Sequence, residues 1–115
     1  MGYFNTIWQG DMNVMSLLSF LHCSTPAKII NLTGPETFSV KQVTLKFGRF
    51  LGKMPQFSGR EAPTTLLSNA AISRSLFGQP KVLPEQIIRR IANWINHKNS
   101  LLNKQTHYEV SDGKH

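Results

Sequence analysis

The stretch from Phe38 to Gly52 constrains the fold more than any other, because both of its ends are written in the residues. Ser39 and Gln42 stand at the spacing of a capping box. In that motif the hydroxyl accepts the N3 amide and the Gln side chain reaches back to the cap. Phe38 and Val43 take the positions of a hydrophobic staple across the same cap. Val40, Val43, Phe47, Phe50 and Leu51 then recur at helical spacing, and Gly52 suits the positive φ of a C′ residue. Gly48 and Gly52 make a G-x-x-x-G spacing, which in a helix ending at Gly52 is not read as a dimer motif.

Three more helices are expected. Asp11 is read as an N-cap, followed by Val14, Met15, Leu18 and Leu21 at helical spacing, with Leu17 and Phe20 widening the stripe. A helix from Met12 to His22 that is apolar over so much of its circumference is expected to be covered on more than one side. Ser68 is read as the cap of a short helix holding Ala71, Ile72 and Leu76 and closed by Gly78. Pro84 suits the first turn of the last helix, whose stripe is Ile87, Ile88, Ile91, Trp94 and Ile95. Trp94 is expected in the core. Strands are expected within residues 3–9, where Tyr3, Phe4, Ile7 and Trp8 favour extended backbone, at Lys28 to Thr33 as a short buried strand, and at Pro55 to Ser58. The fold class is therefore α/β, a small α+β-like lobe of about four helices with two or three short strands. One domain is expected over residues 1–98, with a polar tail over 99–115 that carries a further short strand at 107–110.

Composition narrows the function. A chain of 115 residues with 40% hydrophobic and 17% charged residues is globular rather than disordered. The net charge of +7 invites nucleic acid as a partner. Yet the Lys and Arg residues are scattered, with only Arg89 and Arg90 adjacent, so a solvated surface is the expected role. The single cysteine, Cys23, excludes an internal disulfide and is expected to be a buried thiol. No stretch is long and apolar enough to span a membrane, and the start lacks the pattern of a signal peptide, so a cytoplasmic location is expected.

The motifs of self-contained chemistry are absent. The glycines give no G-x-G-x-x-G, no G-x-x-G-x-x-G and no P-loop, so no backbone turn is available to approach a phosphate. H-E-x-x-H, G-x-S-x-G and C-x-x-C are likewise missing, and no metal or catalytic residue is assigned.

The order of three blocks resembles the end of the extended short-chain dehydrogenase/reductase family, the NAD-dependent epimerases and dehydratases. Trp8-Gln9-Gly10-Asp11 before an apolar helix looks like the family's V-x-D segment. Ile30-Asn31-Leu32-Thr33-Gly34, Phe38-Ser39-Val40-Lys41-Gln42 and Phe50-Leu51-Gly52 resemble a strand ending N-x-x-G, a Ser-Val helix start and a Leu-Gly stop. Leu67 to Ala70, Leu76 to Gly78 and Ile87 to Trp94 resemble the closing pair of helices. The likeness runs over nearly the whole chain.

The resemblance implies a substrate-side lobe that docks on a Rossmann-type N-terminal lobe. In the family that partner lobe binds NAD or NADP and holds a Tyr-x-x-x-Lys pair, the Tyr acting as acid/base. Neither Tyr here fits, since Ile7 follows Tyr3 by four and Asp112 follows Tyr108 by four. No cofactor is therefore expected on this chain alone. The family's phosphate-binding Arg, seven before the V-x-D acid, is Phe4 here, which argues against a nucleotide-sugar substrate. Trp8, Gln9 and Asp11 are the candidate substrate-side residues, each also explained by packing or capping. His107 and Tyr108 are the candidate contacts to the partner lobe. An isolated chain is expected to form a homodimer through the apolar segment from Tyr3 to Leu21. The competing reading is a standalone basic module that binds nucleic acid or an acidic protein.

Overall fold

The computed structural model describes residues 2–60 and 65–104. Within them lie four α-helices and three two-residue strands that form one sheet in the order β2-β1-β3. The central strand β1 (Tyr3–Phe4) pairs antiparallel with β2 (Phe38–Ser39), Tyr3 opposite Ser39 and Phe4 opposite Phe38. On its other side it pairs parallel with β3 (Thr65–Leu66). The Phe4 and Phe38 rings meet across the first pair with centroids 5.9 Å apart, an aromatic cross-strand contact of the kind that pins register.

Helix α2 (Val40–Leu51) follows β2 directly, and its ends are those that its residues predict. Ser39 is extended and its Oγ accepts the Gln42 N–H at 3.4 Å, a long bond. Gln42 makes no return bond to the cap, so only half of the box forms. Gly52 closes the helix at φ 63°, ψ 31°, a left-handed conformation that side chains with a Cβ resist. Gly48 is needed for a different reason. A Cβ there would sit 2.6 Å from Lys53 O and 2.8 Å from Pro55 Cδ, where the chain folds back over the helix.

Helix α4 (Pro84–Asn96) starts as expected, with Pro84 at its first position, and packs against α2. Gln86 Oε1 accepts the Leu83 N–H at 2.9 Å and so satisfies a donor at the helix entrance. Arg89 lies over the Phe50 ring at 5.4 Å, and Asn96 Nδ2 donates to Phe50 O at 3.3 Å. Ile88 and Ala92 are buried between the layers. Trp94 is not core: it is half exposed, and its indole N–H donates to Ser100 O at 3.1 Å, just past the helix. The polar edge of an indole requires a partner, and the chain leaving the helix supplies it.

Helix α1 (Gln9–Ser19) runs into a 3₁₀ turn at Phe20–His22, and α1 lies beside α3 (Ala71–Phe77). The His22 and Phe77 rings meet edge on at 5.5 Å. The N-cap of α1 is Trp8, not Asp11, because the Met12 N–H already bonds Trp8 O at 3.0 Å. Asp11 falls inside the first turn, where an acid is favoured by the helix dipole. Helix α3 likewise begins without Ser68 as its cap. Asn69 Oδ1 accepts the Ala71 N–H at 2.9 Å in its place.

Several expectations are corrected. Lys28 to Thr33 is neither strand nor helix, and Ile29 is 81% exposed. Ile30 and Leu32 are half-buried, Asn31 is outside and Thr33 is buried, but the sheet of β2, β1 and β3 does not include this segment. Pro55 to Ser58 is also irregular, and the sheet takes its third strand from Thr65–Leu66. Cys23 is exposed, since the chain turns extended there as it leaves the 3₁₀ turn. The proposed strand at 107–110 lies outside the described residues.

Burial is sparse. Among the described residues the buried apolar side chains are Met15, Ala70, Ile88 and Ala92. By contrast Val14, Leu17, Phe20 and Leu21 on α1 and its 3₁₀ turn are 55–79% exposed. Much of the cohesion between segments is therefore polar, and Asn5 is its centre. Its Nδ2 donates to Gly34 O at 3.2 Å and to Ser68 O at 2.7 Å, while its Oδ1 accepts the Ser68 N–H at 3.1 Å. Asn5→Ala should cost about 2 kcal/mol, less than three full bonds because the site is partly solvated. Asn5→Asp should cost more, because a carboxylate facing two carbonyl oxygens has no proton to donate. Denaturant midpoints that rank Asp as milder than Ala would show that the Asn5 bonds do not bear on stability.

Candidate functional site

The described residues form two adjoining chambers that open to solvent, and both stand on the junction of β1, β2 and α4. The narrower has a volume of about 190 Å³ and is lined by Phe4, Phe38, Val43, Phe47, Ile88 and Ile91, with Thr6 the one polar side chain on its wall. The sheet supplies Phe4 and Phe38, α2 supplies Val43 and Phe47, and α4 supplies the two Ile residues. The sequence staple of Phe38 and Val43 thus forms part of the wall of a cavity. The wider chamber, about 410 Å³, shares Thr6, Phe38, Pro84 and Ile87 with the first and continues past Gly34, Glu36, Arg74 and Gln79.

The floor of this junction is set by Gly34. A Cβ on Gly34 would collide with Thr6 O, so the loop before β2 can approach the strand only through a bare backbone. Asn5 then locks the approach through Gly34 O. The opposite wall is held by Asp11, whose Oδ2 accepts the Val82 N–H at 2.9 Å across 71 positions of sequence. Val82 and Leu83 line the wider chamber, so the Asp11 carboxylate fixes one of its edges from behind.

The sequence-selected residues fall around the chambers and not in them. Trp8 is half-buried with the Arg90 guanidinium 5.0 Å over its ring, a cation–π contact that ties the start of α1 to α4. Gln9 is exposed at the first position of α1. Asp11 binds backbone. None of the three lines either chamber. His107 and Tyr108 lie outside the described residues.

Sequence reasoning missed Glu36 and Arg74. Each is a lone charge in its own segment, brought together only by the fold, and no spacing pattern signals either. They face the same chamber with opposite charges. The ion pair of the described residues is Glu85 with Arg89, so Glu36 and Arg74 are not bonded to each other.

Among the described residues no three His, Cys, Asp or Glu side chains gather as metal ligands. The helices open at Trp8, Ser39, Ala70 and Leu83, without the glycine-rich turn that would let backbone amides approach a pyrophosphate. No helix of the described residues is long and apolar enough to cross a membrane. Comparison with protein-family models, with curated proteins and with solved structures gives no match to this chain.

The Asp11 contact generates a test. Asp11→Ala should leave the Val82 N–H without its acceptor and cost about 1–3 kcal/mol. Asp11→Asn keeps an oxygen in place, loses only the charge, and should cost roughly half as much. Equal midpoints in urea for wild type and Asp11→Ala would mean that the bond contributes nothing to holding the wall.

Proposed function

We propose that this chain is the substrate-side lobe of a two-lobed protein of the NAD-dependent epimerase/dehydratase kind, with cofactor and catalytic groups supplied by a Rossmann-type partner lobe. The observation that carries the reading is the uncovered apolar surface of α1 and its 3₁₀ turn. Leu17, Phe20 and Leu21 are 68%, 74% and 79% exposed, on a helix whose stripe is too wide for a solvent-facing role. Two further features support it. The apolar segment 28–33 forms no strand with the described sheet and leaves Ile29 81% exposed. The blocks at Trp8–Asp11, Ile30–Gly34, Phe38–Gln42 and Phe50–Gly52 follow one another in the family's order. The two chambers then form this lobe's share of the substrate cleft, and the protein works in the cytoplasm.

The deciding experiment is to sequence the full transcript around this coding region. An in-frame segment encoding G-x-x-G-x-x-G and Tyr-x-x-x-Lys is expected. Its absence, together with salt-dependent binding of DNA or RNA by the chain, would replace the reading with that of a basic nucleic-acid module.

Two properties of the isolated chain follow. Calorimetric titration with NAD or NADP should show no heat of binding, and micromolar affinity for either would overturn the assignment of the cofactor to a partner lobe. The bare α1 face should make the chain self-associate, most simply as a two-fold dimer, against the opposing net charge of +7. Sedimentation at increasing concentration should show dimer for the wild type and monomer for Leu17→Asp/Phe20→Asp. A wild type that remains monomeric at high micromolar concentration, with no dye binding to apolar surface, would show that this face needs no cover.

A further inference from the structure

The two chambers differ in chemistry, and their union describes a ligand. The narrower one is walled by Phe4, Phe38, Val43, Phe47, Ile88 and Ile91, and its volume of about 190 Å³ exceeds the ~150 Å³ of an apolar cavity that accepts benzene. It offers an apolar group no fixed polar partner except Thr6. At Phe38, Pro84 and Ile87 it adjoins the wider chamber, where Glu36 and Arg74 stand on the wall unpaired with each other. A purely anionic head would meet Arg74 but also the Glu36 carboxylate, and a purely cationic head would meet the reverse. A head that carries both charges satisfies both residues at once.

We infer that this groove binds a zwitterion with a large apolar side chain, an apolar α-amino acid. The side chain enters the chamber between α2 and α4. The carboxylate turns to Arg74, whose planar fork suits it, and the ammonium turns to Glu36. Gln79 lies on the same wall and adds a neutral donor and acceptor beside the head. The inference is independent of a second lobe, since every group it uses belongs to this chain.

The test uses the chain as it stands, with L-phenylalanine, phenylpropionate and phenylethylamine titrated in parallel by heteronuclear NMR. These probes share one ring and differ only in the charges of the head. L-phenylalanine should bind tightest, with shifts centred on the amides of Phe38, Val43 and Ile87. Arg74→Gln should weaken L-phenylalanine and phenylpropionate about tenfold, the effect of one charge-assisted hydrogen bond, and leave phenylethylamine bound as tightly or tighter, since a like charge is removed. Glu36→Gln should do the converse. Both positions are exposed, so neither variant threatens the fold, and a preserved amide spectrum confirms that. Val43→Trp should fill the narrow chamber and abolish binding of all three probes. Binding of L-phenylalanine no tighter than that of the singly charged probes would overturn the inference. So would the absence of binding at the solubility limit, or shifts centred on α1, which would place the ring on the exposed helix face.

Discussion

The carboxamide of Asn5 is the interaction on which the arrangement of this chain depends. It spends both of its N–H donors and its carbonyl on backbone groups that lie 29 and 63 positions away. A two-residue strand has too few ladder bonds to fix its neighbours, and β1 has one such neighbour on each side. Asn5 extends the pairing by side-chain bonds, toward the loop before β2 through Gly34 and toward the segment after β3 through Ser68. Thr6 O then presses on the bare Cα of Gly34, so the side chain and the glycine define one close approach between them. An amide serves here where an apolar side chain would not, because the part-buried Gly34 carbonyl needs a donor and the exposed Ser68 backbone offers both a donor and an acceptor.

What could be read in the residues follows from how local each signal is. Helices α2 and α4 were legible because cap, stripe and stop lie within one segment: Ser39 to Gly52, and Pro84 to Ile95. The strands were not. Two residues carry no periodicity, and the apolar run at Ile29, Ile30 and Leu32 outscored Thr65–Leu66 although only the latter finds a place beside β1. Asp11 shows a subtler failure. A short acid near a helix start is favoured both as N-cap and in the first turn, and the choice was made by Val82, far off in sequence, whose N–H needed an acceptor. Trp94 sits on the stripe by period yet turns out toward Ser100, because its N–H outweighed burial of its ring.

The chambers were the least legible part. Their walls draw on residues near 4, 36, 43, 74, 84 and 91, and no window of sequence contains both charged groups. Glu36 and Arg74 look like ordinary solvated charges until the loop before β2 and α3 bring them to one chamber. The residues chosen beforehand, Trp8 and Asp11, act one layer behind: Arg90 stacks on the first and Val82 bonds to the second. They position α4 and its approach, and through them the cleft inherits its width.

The distribution of apolar surface connects the cleft with the proposed partner. Among the described residues few large side chains are buried, chiefly Met15 and Ile88, which by area contribute on the order of 3–6 kcal/mol together, while α1 leaves several of the same size in water. A fold of this length is short of interior to begin with, so apolar residues spent on an outer face are lost to its own core. Met15 is the one residue of α1 that is fully inward, and the helix is otherwise held by Asp11, by the Trp8–Arg90 stack and by His22 against Phe77. These are edge contacts around the helix rather than a buried seam beneath it. A helix attached in this way can take a second surface on its open side without repacking the first, and one of the contacts that attach it, Asp11 to Val82, ends on the wall of the wider chamber.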